Sequence, residues 1–396
     1  MTGWNRRATW VSPRMVVVSA FTGAAAIGVS AAIFASSARP ANAAPALPAA
    51  TLVASTANLI SQVSGVPAVS PADLYQNDTP SRFQLDAGDL AIMWDGGDGT
   101  VRIAYGDSYG TGWRPSTAGG PDGFDNTHAD WRCNTLAFSS DRDLAAGMRI
   151  DDMIQDHPGH AAQLLPCQKV RGTEETFVPT SGIHLGSVDY IASMSVNHWD
   201  ARSGVWRTNY SQISYSLDAG HTWTKSSLRF TNNGSGTDKF QMLTLVAQGM
   251  YVYVYGTPNG RFGDAYLARV PADRLLDSTA YEFLTGSGWR QGNQAEADAA
   301  PVVQAPVGEI SVFYDAALST WLMTGLDQPK NDIVLRTAPS PAGPWSREQV
   351  LVSGQQYPGL YGGFIHPWSN GADLYFTMSR WNQYQVYLMH STLTKR

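Results

Sequence analysis

Short apolar runs that recur in five similar sets constrain the fold of this chain more than any other feature. In each set two runs flank a tight turn, and a third run follows after a loop. The third runs begin near residues 134, 210, 265, 332 and 385. Such runs, bounded by Gly, Asn, Asp or Pro, are typical of strands, and their spacing suits four-stranded blades with variable loops. The sequence therefore predicts an all-β fold, a five-bladed β-propeller, over residues 80–396.

A local motif supports the propeller interpretation. Residues 216–223 read SLDAGHTW, which fits the S-x-D-x-G-x-T-W pattern called the Asp box. This box resembles the turn between the third and fourth strands in sialidase-type propellers, where its Ser and Asp cap their own hairpin backbone. Residues 340–345 (SPAGPW) are a degenerate copy at the matching point of the fourth set. We expect both segments to be structural turns rather than catalytic sites.

The first set contains the most informative hairpin. Residues 88–110 read GDLAIMWDGGDGTVRIAYGDSYG, two apolar runs around a Gly/Asp cluster. If the turn is centred on Asp98, residues whose numbers sum to 196 face each other, and Asp89 lies opposite Asp107. Opposed residues of an antiparallel pair share one face, with Cβ atoms about 4.5–5.5 Å apart. Two carboxylates that close raise the pKa of one of them. The alternative is a pair of solvated strand-end aspartates in another register.

Propeller topology predicts where these carboxylates lie. The first strand of each blade lines the central channel, and its entry end opens on the same face as the exit end of the second strand. Asp89 and Asp107 are therefore predicted at that mouth, as the catalytic pair. Glu309 and Asp327 form an equivalent pair in the fourth set if its turn is centred on Leu318.

Other candidates for the mouth are polar and aromatic residues at matching positions and on long loops. We predict a group of six that binds substrate: Asn134, Gln241, Arg261, Glu309, His366 and Trp368. Trp131, Trp199 and Tyr361 are expected on the same face. Carboxylates for acid–base work beside aromatic faces for sugar rings are what a glycan cleft needs. The alternative for any one of these residues is ordinary hydrogen bonding within a loop.

The first 43 residues have the features of an export signal. Arg6, Arg7 and Arg14 precede an uncharged, Ala/Val-rich stretch over residues 15–34. Residues 41–43 (ANA) then supply a small-residue cleavage site. The stretch is also just long enough to span a bilayer, so an uncleaved anchor stays open. We expect cleavage, and a protein that is secreted or associated with the cell envelope.

The rest of the chain divides into an extension and the propeller. Residues 44–79 are rich in Ala, Pro and Ser, and are interpreted as a linker or N-terminal extension, part of which can add an outer strand. The signal carries four arginines and no acid, so its removal changes the net charge from −6 to −10. This charge argues against nucleic acid and anionic lipid as partners. Neutral or polar ligands fit it better.

Cys133 and Cys167 are the only cysteines. In an exported protein such a pair most simply forms one disulfide, here closing a loop of 34 residues. By the chain-entropy account this bond contributes about 3–4 kcal/mol. His157 and His160 lie near Cys167, but the set lacks a recognised zinc pattern. We therefore expect no metal centre and no cofactor; a structural Ca²⁺ is compatible with the sequence but not indicated by it.

Several segments together resemble those of a known enzyme family. GDLAIMWD and YGDSYG are followed by WRCNTLAFSSDRD, TNYSQISYSLDAGHTW, FQM, YGTPNGRFGDAYLARV and GEISVFYD. They resemble the actinobacterial propellers once known only as a domain of unknown function and now grouped as endo-D-arabinanases, glycoside hydrolase family 183. The resemblance covers about residues 80–395. This chain has YGDSY where the family tends to read FGDTF, and the insertion over residues 145–175 is less familiar.

The resemblance implies a function. Enzymes of that family cleave internal α-linkages of D-arabinofuranose chains in arabinogalactan and lipoarabinomannan, and their two catalytic aspartates match Asp89 and Asp107 here. The chain is therefore predicted to be a secreted arabinan hydrolase whose aspartates divide the roles of general acid and of nucleophile or base. A non-catalytic glycan-binding propeller and a structural envelope protein stay open as alternatives.

Overall fold

The computed structural model describes residues 52–67, 74–115, 129–233 and 238–396. The predicted signal over residues 1–43 lies outside these ranges and stays a prediction. Within them, no helix combines the length and the apolar character needed to cross a membrane.

Nearly all the regular structure consists of β-strands. The N-terminal part contains β1 (Leu52–Ala54), β2 (Asn58–Gln62), β3 (Tyr75–Gln76) and the short helix α1 (Thr79–Phe83). The first set contains β4 (Ala87–Gly88), β5 (Ile92–Asp95), β6 (Val101–Tyr105), β7 (Ser108–Tyr109), β8 (Trp131–Arg132), β9 (Thr135–Ser139), β10 (Asp152–Met153), β11 (Gln155–His157) and β12 (His160–Ala161). The second set contains β13 (Thr176–Leu185), β14 (Val188–Trp199), β15 (Trp206–Ser216) and β16 (Thr224–Thr231).

The remaining three sets follow in order. The third contains β17 (Met242–Gln248), β18 (Tyr251–Thr257), β19 (Gly263–Pro271), β20 (Glu282–Thr285), β21 (Gly288–Gln291) and helix α2 (Asn293–Ala297). The fourth contains β22 (Pro301–Asp315), β23 (Thr320–Asp327), β24 (Asp332–Ala338) and β25 (Gln349–Ser353), and the fifth β26 (Leu360–Ile365), β27 (Asp373–Arg380) and β28 (Gln385–Lys395). Short 3₁₀ turns lie at Leu144–Ala146, Ala272–Arg274 and Ser278–Ala280.

The sheets are antiparallel except at the pairing of β2 with β3, which is parallel. Two four-stranded sheets have the orders β5-β6-β9-β10 and β13-β14-β15-β16, and a nine-stranded sheet runs from β17 to β25. The last sheet joins β26, β27 and β28 to β1, β2 and β3. The β-propeller class predicted from the sequence is confirmed. The count of five blades stays a prediction, because the pairing of β19 with β22 merges two predicted sets into one sheet.

The first strands of the five sets surround a common channel. β5, β13, β17, β22 and β26 each contact the next one around the ring, and β26 contacts β5. One cavity is lined by Asp89 and Leu90, just before β5, and by earlier residues of the other four first strands. A second, smaller cavity of about 220 Å³ is lined by β5 itself and by later residues of those strands. The two ends of the channel are therefore distinguished by strand direction.

The described part of the extension adds to the last sheet. β1 and β2 both pair antiparallel with β28, so residues from both ends of the described chain share one sheet. The sequence analysis allowed one outer strand from this region. The domain boundaries at residues 43 and 79 stay predictions.

The turn motifs have the predicted structural role. In the Asp box, Asp218 accepts hydrogen bonds from the Thr222 amide at 2.8 Å and from its hydroxyl at 2.7 Å, while Ser216 accepts one from the Gly220 amide at 2.9 Å. The box lies between β15 and β16, the third and fourth strands of its set. The degenerate copy lies between β24 and β25, where Ser340 donates to the Gly343 carbonyl at 2.6 Å.

Candidate functional site

The first hairpin has the register that its turn predicted. In the β5–β6 ladder Ile92 pairs with Ala104, and in the β4–β7 ladder Gly88 pairs with Ser108. Both pairs sum to 196. Between these ladders the pairing is interrupted on both strands, at Asp89 and at Asp107. The two carboxyl side chains lie in this gap and both line the same cavity.

Backbone geometry explains why Asp89 leaves the ladder. Leu90 and Ala91, which follow it, both have left-handed φ angles, of 68° and 52°. The neighbouring strand β27 fixes this kink, because Ser379 Oγ accepts from the Leu90 amide at 2.9 Å and Thr377 Oγ1 donates to the Leu90 carbonyl at 3.2 Å. Two adjacent non-glycine residues in this region carry a conformational cost that the surrounding contacts must offset. The kink turns the Asp89 side chain towards the cavity.

Asp89 lies in surroundings that favour its protonated form. Its side chain is 7 % exposed, and burial raises its pKa to about 8, helped by the charge of Asp107. Tyr361 donates to Asp89 Oδ2 at 2.9 Å, and this hydrogen bond with that of Tyr384 opposes the rise. The Oδ1 atom is buried and has no hydrogen-bond partner among the described residues. Asp89 therefore holds a proton at neutral pH.

Asp107 is buried to the same extent as Asp89, but its pKa rises less. Burial raises its pKa to about 6, against two hydrogen bonds that favour the charged form. Thr176 Oγ1 donates to Asp107 Oδ1 at 2.6 Å, and Trp131 Nε1 donates to the same oxygen at 2.9 Å. Two carboxyls with unlike surroundings are separated into an acid and a base. At pH 7 Asp107 is mainly ionised while Asp89 is mainly protonated.

The cavity around the pair is large enough for an oligosaccharide segment. Its volume is about 700 Å³, and tryptophan and tyrosine side chains form much of its wall. The aromatic residues that line it are Tyr109, Trp131, Trp199, Trp206, Tyr361, Phe364, Trp381 and Tyr384. Aromatic faces with a few placed polar groups are suited to binding sugar rings.

Arg261 and Glu309 line the side of the cavity next to Asp89. Arg261 donates from Nε and Nη2 to Glu309 Oε1, at 2.8 and 2.6 Å, and from Nη1 to Gln328 at 3.1 Å. The charge of Glu309 also contributes to the raised pKa of Asp89. The structure thus brings together four of the predicted site residues: Asp89, Asp107, Arg261 and Glu309. Trp131, Trp199 and Tyr361 join them as expected.

Two residues of the loop before β13 also line the cavity and were missed. Arg171 and Glu175, the first and last residues of the RGTEE segment, face the cavity, and neither was among the predicted site residues. Glu174 is buried and accepts a hydrogen bond from Ser195 Oγ at 2.7 Å, which anchors the loop. The side chain of the next residue, Glu175, faces the cavity instead. The charge of Glu175 raises the pKa of Asp107. Glu175 immediately precedes a first strand, so the same topological rule that placed Asp89 could have found it.

The structure does not place Asn134 and Gln241 in the predicted substrate site, because both amides are buried and already bonded. Asn134 donates to the Phe177 carbonyl at 2.7 Å and accepts from the Leu165 amide at 2.6 Å. Gln241 donates to the Phe230 carbonyl at 3.1 Å and accepts from Thr208 at 2.9 Å. Neither lines the cavity. Both side chains join neighbouring strands instead.

The placement of His366 and Trp368 at the same mouth is also wrong. Both follow the end of β26, whose start lines the site cavity, so they lie towards the other end of the channel. His366 is fully buried, and Trp368 Nε1 donates to Asp95 at the end of β5, at 2.7 Å. Residues that follow a first strand lie at the opposite end of the channel from residues that precede one. The prediction for His366 and Trp368 did not take this strand direction into account.

The predicted pairing of Glu309 with Asp327 is wrong as well. A turn centred on Leu318 would pair residues whose numbers sum to 636, but the β22–β23 ladder pairs Ser311 with Thr324, a sum of 635. The register shifts again, at a bulge, between Ser311 and Gly308. Glu309 falls in that bulge and bonds to Arg261, whereas Asp327 forms an ion pair with Lys330 at 2.8 Å. Of the two carboxyl pairs predicted from hairpin registers, only Asp89 and Asp107 therefore both line the described cavity.

The predicted disulfide between Cys133 and Cys167 is confirmed. It ties the insertion to the segment that carries Trp131. Lys169, two residues beyond the bond, donates to the Trp131 carbonyl and lies over its ring at 5.1 Å. The insertion therefore braces the tryptophan that donates to Asp107.

Comparison with known families gives one clear match. Residues 75–390 match the family described as Domain of unknown function (DUF4185). The chain belongs to this family. The match extends from β3 into β28 and assigns no activity.

Two individual proteins are similar to this chain, one in part of its sequence and one in its fold. Notoamide biosynthesis cluster protein J from Aspergillus sp. (strain MF297-2) is 36% identical over 213 residues, which cover 51% of this chain and 53% of that protein. The chain thus spans about half the length of this curated relative. A putative hydrolase from Bacteroides ovatus superposes with a TM-score of 0.55 at 15% identity, covering 80% of this chain and 88% of that one. At that identity the likeness shows the fold alone.

Proposed function

We propose that this protein is an exported glycoside hydrolase that cleaves internal D-arabinofuranosyl linkages of arabinan. One observation carries the enzymatic part of the proposal: two buried carboxyls, one mainly protonated and one mainly ionised at pH 7, meet in an aromatic cavity. Glycoside hydrolysis needs such a pair flanking the scissile bond. The arabinan part rests on the resemblance of the first hairpin and the other quoted segments to endo-D-arabinanases.

In the proposed reaction Asp89 is the general acid. It gives its proton to the glycosidic oxygen as the bond from the anomeric carbon breaks, and the departing sugar leaves as an alcohol. Asp107, ionised and held by Trp131 and Thr176, supports the opposite face of the sugar ring. It acts there either as the nucleophile, with retention, or as the base that deprotonates water, with inversion. The anomer of the first-formed product distinguishes these two courses.

The remaining groups of the cavity would bind the chain on either side of the cleaved bond. Tyr361 holds Asp89 from one side, and Arg261 fixes Glu309 beside it. Trp199 and Trp206, with ring centroids 5.3 Å apart, form an aromatic corner further from the pair. An extended cavity of this kind suits a polymer more than a single sugar. No nucleic acid, membrane or cofactor has a part in the proposal.

The test is a digest of purified arabinogalactan with the recombinant protein, followed by separation of the products. The proposal expects arabino-oligosaccharides of several sizes from the start, because internal bonds are cleaved. Release of nothing, with retained binding to the polysaccharide, would instead support a glycan-binding propeller. Absence of both cleavage and binding would support a structural envelope protein.

A further inference from the structure

The hairpin β11–β12 brings three metal-ligating side chains together outside the proposed active site. Asp156 and His157 end β11, and His160 begins β12 across a tight turn in which Gly159 has a φ of 80°. Their ligand atoms all lie within 4.8 Å of one another. Nδ1 of His157 and Nδ1 of His160 are 2.8 and 2.6 Å from the same oxygen, Asp156 Oδ1. Both imidazole nitrogens therefore face one carboxylate oxygen at the surface, and the two rings stack with their centroids 4.4 Å apart.

His160 lies between two carboxylates, an arrangement of negative charge that can hold a cation. Its Nδ1 faces Asp156, and its Nε2 lies 3.0 Å from Asp130 Oδ2. A neutral imidazole has one N–H, so it cannot donate to both carboxylates. One contact needs either a second proton on the ring or a metal ion shared by Nδ1 and Asp156. With a metal bound, the single proton remains on Nε2 and is donated to Asp130.

Asp130 is placed as an outer partner of a metal ligand. Ligating histidines almost always donate their second ring N–H to a carboxylate or carbonyl, which fixes the ring and its tautomer. Asp130 is itself held by Arg132 at 3.2 Å. This arrangement is independent of the three clustered donors and points to the same use.

We propose that Asp156, His157 and His160 bind one divalent transition cation of the zinc type. Two imidazole nitrogens and a carboxylate suit Zn²⁺ and related ions, whereas Ca²⁺ and Mg²⁺ prefer oxygen donors alone. Asp156 and His157 are more than half exposed, so water can fill a fourth position. The expectation of no metal centre rested on the absence of a zinc pattern that includes Cys167. The hairpin itself supplies the site.

The consequence reaches the candidate active site through β8. Asp130 and Arg132 flank Trp131, which donates to Asp107, and Arg132 also bonds to the Ala161 carbonyl of β12 at 2.8 Å. A metal on the hairpin therefore braces the segment that carries this tryptophan.

The test is calorimetric titration of the purified, untagged, chelator-treated protein with zinc chloride. One equivalent of Zn²⁺ should bind, Mg²⁺ should not, and a hundred-fold excess of free Zn²⁺ over Kd should raise the unfolding midpoint by about 5 °C. His157→Ala, whose side chain is exposed on the turn, should keep the fold and weaken binding at least about tenfold. His160→Ala should do the same.

His390→Ala is the matched control, because His390 pairs with a single carboxylate, Asp373, at 2.8 Å and is not part of the cluster. It should leave zinc binding unchanged. Two results would each overturn the proposal: no zinc binding by the unaltered protein, or equal zinc affinity in the His157→Ala and unaltered proteins.

Discussion

Replacement of Asp89 by Asn should stabilise the fold at alkaline pH while it removes activity. The wild-type carboxyl is buried, and its pKa rises from 3.8 to about 8 in the folded chain. The folded state therefore keeps a proton that the unfolded chain has already released. Stability then falls as pH rises from about 4 to about 8, because the unfolded state binds fewer protons. Asn at this position can still accept the Tyr361 hydrogen bond and has no charge to bury.

The size of the effect follows from the same shift. From pH 5 to pH 8, about three pH units, the folded state holds one proton more than the unfolded state. The loss of folding free energy over this interval is therefore at most about 4 kcal/mol, at about 1.4 kcal/mol per unit. Relaxation of the site and entry of water reduce such penalties. We therefore expect the difference in unfolding free energy between Asp89→Asn and wild type to increase by at least about 1–2 kcal/mol from pH 5 to pH 8.

The assay is urea unfolding of both proteins at pH 5, 6, 7 and 8, followed by tryptophan fluorescence. Asp273→Asn is the control, since Asp273 is an exposed aspartate in the 3₁₀ turn Ala272–Arg274. Its curve should follow that of the wild type at every pH. An Asp89→Asn protein whose stability has the same pH dependence as the wild type would refute the assignment of a buried, protonated Asp89.

Three further variants test how the pair is tuned and held. Glu175→Gln removes a charge that raises the pKa of Asp107, so the acid limb of the pH–rate profile should move to lower pH; an unmoved limb would contradict this role. Trp131→Phe removes a hydrogen bond that stabilises ionised Asp107, so the same limb should move to higher pH and kcat should fall about tenfold or more. Gly106→Ala would place a Cβ against Asp89 Oδ1, too close for both atoms, and force the carboxyl to shift. Its kcat should fall at least about tenfold with an unchanged circular dichroism spectrum, and wild-type kinetics would show that the position of Asp89 is not critical.

The features that could be predicted from the sequence are those fixed by local chemistry. The turn at Asp98 sets the register of the first hairpin, because Asp98 accepts from the Thr100 amide at 3.0 Å and its carboxylate forms an ion pair with Arg102 at 2.8 Å. A correct turn determines every opposed pair in the hairpin, Asp89 and Asp107 included. The Asp box followed from the same kind of argument. Strand spacing then gave the propeller class.

The features that could not be predicted depend on contacts distant in sequence. Asn134 and Gln241 have the side-chain chemistry of ligand-binding residues, and only the tertiary structure shows that backbone groups of other strands occupy both amides. The bulge in β22 shifts Glu309 by one position, and no turn residue signals it. Trp131 reaches Asp107 with the help of a loop tied by the disulfide. Such loop contacts follow from no local pattern.

The most direct test of the central claim is the turnover of D-arabinan by the folded variants Asp89→Asn and Asp107→Asn. The account predicts that each lowers kcat at least about a hundredfold, the low end for loss of a positioned acid or base. It also predicts a bell-shaped pH–rate profile for the wild type, of which each variant loses one limb. Near-normal turnover by either variant, with its fold intact, would contradict the claim that this pair performs the chemistry.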